Sequence, residues 1–154
     1  MILAHLPSGY LLARLAGQPR GLTMAAALVG AVLPDLDLIW FYLIDDRAFH
    51  HHRYWVHAPG FWLIVAALTL PLIRRFFPNF LLPAALFLAG IFLHIVLDTF
   101  AGSIMWLWPL SDQLYALVEV PATRSHWILS FLTHWSVLAE VALILWAAVL
   151  FLRR

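Results

Sequence analysis

The chain has 154 residues, of which 64% are hydrophobic and 11% are charged, and its formal net charge is +1. Soluble domains carry about 25% charged residues, so this composition indicates an integral membrane protein. Its length predicts a single domain over residues 1–154. The balanced charge gives no support for nucleic-acid binding. Since the chain has no cysteine, any metal ion has to be bound by nitrogen and oxygen.

One short and four longer apolar stretches follow one another along the chain. A membrane-spanning helix needs roughly 20 apolar residues, so we predict an all-α protein with about four transmembrane helices. The first stretch, residues 6–16, is too short to cross and predicts a half-helix or an interfacial helix. The four predicted spans cover about residues 21–44, 59–73, 80–100 and 127–152.

Arginine placement predicts the orientation of these helices. With four spans, one side carries six arginines, whereas the other carries three that are diluted by acidic residues. Cytoplasmic loops are enriched in basic residues, so we predict that the six-arginine side and the C-terminus face the cytoplasm. The first and third spans then run outward. The six are Arg14, Arg20, Arg74, Arg75, Arg153 and Arg154, and the three are Arg47, Arg53 and Arg124.

Ionisable residues interrupt two of the predicted spans. Asp35 and Asp37 lie in the first span, and His94 and Asp98 lie in the third. A charge inside a membrane costs a few kcal/mol on insertion scales, so such residues need partners and often mark functional sites. Helical rise places both pairs roughly 20 Å or more from the cytoplasmic edge. A half-helix that climbs from the same edge would bring His5 to that level.

The spacing within each pair bears on metal binding. His94 and Asp98 are four residues apart and share a helix face, where they could bind an ion or form a neutralising hydrogen bond. Asp35 and Asp37 are separated by about 200° on a regular helix, so both face one site only if Pro34 disturbs the helix. The alternative is a helix-end cap or a break at the lipid interface. A divalent ion would remove the repulsion between adjacent carboxylates.

A histidine-rich loop follows the first span and lies above the carboxylates. His52 and His57 flank Arg53, and we predict both histidines as ligands. An arginine beside a metal site can bind phosphate oxygens or stabilise charge in a transition state. His50 and His51 have the alternative of being ordinary polar loop residues. For Arg53 the alternative is a counter-ion role toward Asp45 or Asp46.

Four further ionisable residues lie near the predicted fourth span. His134 and Glu140 are six residues apart and therefore occupy different helix faces, so a packing role is predicted for them. Arg124 and His126 lie in the outer loop and could contact a lipid headgroup. None of the four is predicted as a ligand.

Five short motifs follow one another between residues 5 and 109. They are His5-Leu6, Leu33-Pro34-Asp35-Leu36-Asp37, His52-Arg53 with His57, His94 with Asp98, and Trp108-Pro109. With these motifs the chain resembles the inner-membrane, metal-dependent hydrolases described as LexA-regulated or LexA-binding. It departs from the family's usual Thr-His-Ser by having Val56-His57-Ala58. The last third of the chain matches only in being hydrophobic.

The resemblance implies a metal-dependent hydrolase in the bacterial inner membrane. The family's ligand pattern is similar to that of zinc-dependent phospholipase C, which implies a phosphoesterase acting on an amphiphilic, lipid-like substrate. We predict one to three divalent ions, zinc first and manganese or magnesium as alternatives, and a phospholipid or polyprenyl phosphate that enters among the membrane lipids of the outer leaflet. The predicted metal ligands are His5, Asp35, Asp37, His52, His57, His94 and Asp98, and the predicted catalytic residues are Arg53, Asp37 and Asp98.

Two other functions fit the same residues. A metal or proton transporter would also have Asp and His inside the membrane, although transporters usually show inverted repeats and binding sites near the midplane. The chain shows no internal repeat, and its candidate ligands crowd toward one side. The other alternative is a non-catalytic helical membrane module in which a metal ion links the helices.

Overall fold

The computed structural model describes residues 3–18 and 20–153, which leaves the predicted cytoplasmic Arg154 outside the described residues. Within these ranges the regular elements are helices, with one isolated β-bridge between Ile104 and Tyr115 and no strand, so the all-α prediction is confirmed. The helices are α1 (His5–Leu15), α2 (Gly21–Val32), α3 (Asp37–Leu43), α4 (Pro59–Phe76), α5 (Leu81–Asp98), α6 (Trp127–Leu132) and α7 (Val137–Leu152). Short 3-10 turns lie at Leu33–Leu36, His51–Arg53, Trp55–His57 and Pro78–Phe80.

Three helical segments are long and apolar enough to cross a membrane. They are Gly21–Leu43, Pro59–Phe76 and Pro78–Asp98, and they agree closely with the first three predicted spans. The first combines α2, a 3-10 turn and α3. Helix α1 has 11 residues and is about 16 Å long, so it reaches about half-way across a hydrocarbon core, as predicted.

The fourth predicted span differs from the structure, which divides it into α6 and the 16-residue α7. The hydroxyl of Thr133 donates to the Leu129 carbonyl oxygen at 2.9 Å. His134 Nδ1 bonds the Ser136 hydroxyl at 2.9 Å and also accepts from the Ser136 backbone N–H at 3.4 Å. Local side-chain bonds of this kind compete with the helical ladder, and they explain the break in an otherwise apolar segment.

Helices α2 and α5 form the centre of the fold and run in the same direction. A Cβ atom on Gly90 would lie 2.6 Å from the Ala27 carbonyl oxygen, and one turn later His94 hydrogen-bonds the Ala31 carbonyl oxygen. In both pairs the α5 residue follows its α2 partner by 63 positions, so the two helices are parallel. A Cβ atom on Gly30 would overlap the Phe87 carbonyl oxygen. This close parallel packing brings Asp98, at the end of the third span, to the level of Asp35 in the first.

Helix α1 packs against α2 in the opposite direction. A Cβ atom on Gly9 would lie 2.7 Å from Ala31 Cβ and 2.8 Å from the Ala27 carbonyl oxygen, so the two backbones approach closely there. His5 lies one turn before Gly9 and therefore reaches the level of Asp35, one turn after Ala31. The prediction that the half-helix brings His5 to the carboxylates is confirmed.

Candidate metal centre

The chain bends locally at Pro34, which lies at the start of the 3-10 turn Leu33–Leu36. The two carboxylates that follow point to different partners. Asp35 Oδ2 lies 3.8 Å from His5 Nε2, whereas Asp37 Oδ2 lies 2.8 Å from His57 Nδ1. The predicted disturbance of the helix at Pro34 is present, and it delivers the two carboxylates to neighbouring parts of one cluster.

Asp98, the last residue of α5, lies at the centre of this cluster and is 3% exposed. Its Oδ1 atom is 3.1 Å from His5 Nε2. Its Oδ2 atom is 3.0 Å from His94 Nε2, 3.5 Å from His52 Nε2 and 3.6 Å from His57 Nε2. One carboxylate therefore meets four imidazoles from three separate parts of the chain.

The residues around Asp98 form two groups, and the first combines α1, the Pro34 turn and α5. His5, Asp35, His94 and Asp98 each offer one ligand atom, and these four atoms lie within 4.8 Å of one another. The rings of His5 and His94 stack, with centroids 3.7 Å apart and planes inclined by 17°. Asp35 Oδ1 is 3.7 Å from His94 Nε2. This group could hold a metal ion.

The second group lies in the loop between the first two spans. His51, His52 and His57 offer ring nitrogens that lie within 4.8 Å of one another, and they could also hold an ion. Asp37 lies beside this group, with Oδ1 3.5 Å from His51 Nδ1. Trp62 of α4 fixes the loop by donating its indole N–H to the Val56 carbonyl oxygen at 2.8 Å.

The hydrogen bonds of two rings show which nitrogen faces Asp98 with a lone pair. His94 Nδ1 bonds the Ala31 carbonyl oxygen at 2.8 Å, and His52 Nδ1 bonds the Ser103 carbonyl oxygen at 3.0 Å. A carbonyl oxygen only accepts, so each Nδ1 carries the proton and each Nε2 of a neutral ring presents a lone pair. Burial lowers the pKa of His52 well below its ordinary value, which favours the neutral ring. The Nε2 atoms of both rings are thus directed at the Asp98 carboxylate.

His57 adds to this concentration of unsatisfied polar atoms. Its Nε2 lies 3.3 Å from His94 Nε2. Although its Nδ1 is close to Asp37 Oδ2, the two atoms do not meet hydrogen-bond geometry, and neither has another hydrogen-bond partner in the described part of the chain. Both nitrogens of His5 are likewise buried without such a partner there. Buried polar atoms normally have partners, and a bound cation would supply one to this donor set.

The structure brings together all seven predicted ligands and adds His51, for which the role of an ordinary polar loop residue was one of two open interpretations. Arg53 is exposed beside them and forms no ion pair within residues 3–18 and 20–153. Its alternative role as a counter-ion is not observed, because Asp45 accepts from the Tyr54 hydroxyl and Asp46 lies 3.9 Å from Arg47. Arg53 is therefore available to a ligand from outside the chain.

The residues near the fourth apolar segment lie outside both groups. His126 Nδ1 accepts from the Ile128 backbone N–H at 3.3 Å, and His134 bonds Ser136. Arg124 is exposed. Glu140 is 1% exposed and accepts a hydrogen bond from the Leu3 backbone N–H at 3.1 Å. The local packing roles predicted for His134 and Glu140 agree with these contacts.

No curated protein and no solved structure matches the chain. The family model described as YdjM inner membrane protein matches residues 1–153, which is nearly the whole sequence. This match fits the inner-membrane family that the five motifs resemble, and together with the apolar helices it supports a membrane location. The chain belongs to the YdjM inner membrane protein family.

Proposed function

We propose that the protein is a membrane-embedded, metal-dependent hydrolase that cleaves a phosphoester bond. The observation that carries the proposal is the meeting of several imidazole Nε2 atoms with the Asp98 carboxylate at 3.0–3.6 Å. Unprotonated nitrogens that face a carboxylate in a buried site repel it unless cations or protons lie among them, and one divalent cation would satisfy several of these contacts at once. Nitrogen and carboxylate donors without sulfur suit zinc, with manganese as the next choice.

The donor set is large enough for two ions. The group of His5, Asp35, His94 and Asp98 would hold the first, and the loop group with Asp37 would hold the second. Asp98 belongs to the first group through Oδ1 beside His5 and Oδ2 beside His94, and the same Oδ2 atom also lies near His52 and His57 of the second group. Catalytic zinc sites use about three protein ligands per ion and keep a position open for water or substrate.

Metal chemistry accounts for the hydrolytic part of the proposal. When bound, such ions make a water molecule nucleophilic at neutral pH and polarise a phosphoryl oxygen. The Arg53 guanidinium is free of ion pairs within the described ranges and follows His52 directly, so it can bind phosphate oxygens in a fork-like geometry. The Asp35 side chain is 27% exposed, whereas that of Asp98 is 4% exposed, so the cluster is accessible from outside the protein on the Asp35 side.

The position of the cluster supports an amphiphilic substrate. It lies at the end of the third apolar span and in the second half of the first, beside the loop that carries Arg53. Large apolar side chains near this end are exposed, including Trp40 at 56% and Trp55 at 54%. A phospholipid or polyprenyl phosphate could place its phosphate near Arg53 and its chain along this apolar surface. The arginine distribution favours entry from the outer leaflet.

Elemental analysis of the detergent-purified protein tests the proposal first. We expect about two equivalents of zinc or manganese in the wild type and a loss of metal in Asp35→Ala/His94→Ala, because both residues belong to the first group. An Asp112→Ala/His126→Ala variant removes the same residue types from exposed loop positions and should keep its metal. Metal-dependent release of a phosphorylated headgroup from phospholipid in mixed micelles then tests the reaction.

Two results would overturn this function. One is a folded wild-type protein that binds no divalent metal after loading. The other is a metal-loaded protein that cleaves no phosphoester but accumulates metal in sealed vesicles, which is the outcome expected of a transporter.

A further inference from the structure

Glu140 is the single charged residue of the apolar helix α7 and is 1% exposed. A carboxylate in such a helix costs a few kcal/mol and needs a compensating partner. The Leu3 backbone N–H donates to its Oε2 atom at 3.1 Å, while Oε1 has no hydrogen-bond partner among the described residues. Glu140 therefore holds a backbone group that lies two residues before the ligand His5.

Helix α1 has no side-chain cap of its own at its beginning. Its N-cap, Ala4, has no side chain that could accept from the first helical N–H groups, and its first turn has no acidic residue. Helix starts are normally stabilised by a side-chain cap and by nearby negative charge. Glu140 supplies a carboxylate at this place from a distant part of the chain.

The two helices also meet farther along. The ring of Tyr10 in α1 lies 6.1 Å from the ring of Phe151 in α7. On its other side α1 contacts α2 closely at Gly9. Helix α1 is therefore held between α2 and α7, and the hydrogen bond to Glu140 restrains the end that carries His5.

We propose that Glu140 is a positioning residue that restrains the start of α1 so that the His5 ring stays stacked on His94 and within 3.1 Å of Asp98. It acts through Leu3 and does not touch the reacting atoms. The proposal rests on the proposed function for its chemical purpose, but the restraint on His5 can be measured without any metal.

Diethyl pyrocarbonate labelling of histidines, read by mass spectrometry on metal-stripped protein in detergent, measures this restraint. His5 is 2% exposed and should react slowly in the wild type, while the exposed His126 serves as the reference within each sample. In Glu140→Ala we expect His5 labelling to rise by about tenfold, since a hydrogen bond to a charged group is lost. Glu140→Gln should stay near the wild type, because its amide oxygen can accept the same bond, and the exposed Glu119→Ala is the matched acidic control.

A second pair of variants removes the donor instead of the acceptor and leaves α7 intact. Leu3→Pro deletes the backbone N–H, whereas Leu3→Ala keeps it and shortens a side chain that is 60% exposed. We expect Leu3→Pro to raise His5 labelling and Leu3→Ala to leave it unchanged. Leu3→Pro should not raise His5 labelling further when Glu140→Ala is already present, because both changes remove the same hydrogen bond.

Two labelling results would overturn the proposal. In one, His5 stays as protected in Glu140→Ala and Leu3→Pro as in the wild type. In the other, the labelling of His94 and His57 rises together with that of His5, which would mean general loosening of the cluster. Metal analysis of the same samples reports separately on the proposed function, since a wild type without metal would overturn that function and leave the labelling result standing.

Discussion

Among single residues, Asp98 has the largest effect expected on metal binding. Its Oδ1 atom lies near His5, and its Oδ2 atom lies near His94 of the first group as well as near His52 and His57 of the second. We expect Asp98→Asn to lose both ions, with a metal affinity lower by at least about 100-fold. Replacing a residue that only hydrogen-bonds a metal ligand already lowers metal affinity by about 10- to 100-fold. Asp35→Asn should lose only the first ion. Titration calorimetry with zinc measures both effects, and an Asp98→Asn protein that retained two tight sites would contradict the bridging role.

The predicted role of Arg53 can be distinguished from metal binding, because a guanidinium group binds phosphate oxygens and not a metal ion. The guanidinium is exposed and lies next to a ligand in sequence, so its loss should leave metal content unchanged. We expect Arg53→Ala to lower the turnover of a phosphoester substrate by about 100- to 1000-fold, as for the loss of a donor to developing charge. Arg53→Lys should restore only part of the rate because an ammonium group cannot bind two oxygens as a planar fork does. A metal-loaded Arg53→Ala enzyme with full turnover would exclude this role.

The sequence predicts which residues lie at the level of the site better than it predicts which side chains they contact. Helical rise alone placed Asp35, Asp37, His94 and Asp98 at one level, because depth along a helix depends only on position in the sequence. The directions of the two carboxylates depend on the local 3-10 turn at Pro34, which a regular helix does not describe. His51 stayed undecided because a run of histidines in a loop has no periodicity that would distinguish a candidate ligand from a solvated ring.

Among elements, the contact between α2 and α5 determines whether the site can form. Gly30 lets the two backbones approach, and the bond from His94 Nδ1 to the Ala31 carbonyl oxygen depends on that approach. We expect Gly30→Val to separate the helices, to lower the free energy of unfolding in detergent by about 1–3 kcal/mol and to weaken metal binding. Ala25→Val adds the same kind of side chain at an exposed position of α2 and should do neither. Thermal unfolding and metal titration of both variants make the comparison.

The first three spans could be predicted because each is long, apolar and bounded by charged or helix-ending residues. The fourth was predicted as one helix because its average hydropathy is high. Hydropathy does not register the hydroxyl and imidazole groups of Thr133, His134 and Ser136, whose local hydrogen bonds separate α6 from α7. The consequence is functional, since the separate α7 carries Glu140 against the start of α1.

In the whole molecule, the candidate ligands come from α1, the Pro34 turn, the histidine loop and α5. Bound ions would connect all four parts, so metal binding and folding should be coupled. This coupling alone would also suit a module in which metal only links helices. The proposed catalysis rests on the exposed edge at Asp35 and on Arg53, which is exposed and forms no ion pair among the described residues, because a closed structural site needs neither access from outside nor a cation for an anionic ligand.

The orientation of the molecule can be tested directly because the chain has no cysteine, so single cysteines can be introduced into an otherwise unreactive protein. Gln113 is exposed in the loop that follows α5, and Asn79 is exposed in the turn between α4 and α5, near Arg74 and Arg75. The positive-inside rule predicts that Gln113, on the side of the site, faces the extracytoplasmic space and that Asn79 faces the cytoplasm. In right-side-out vesicles, a membrane-impermeant maleimide should label Gln113→Cys at once and Asn79→Cys only after lysis. The reverse pattern would place the metal centre at the cytoplasmic face, and the substrate would then have to enter from the inner leaflet.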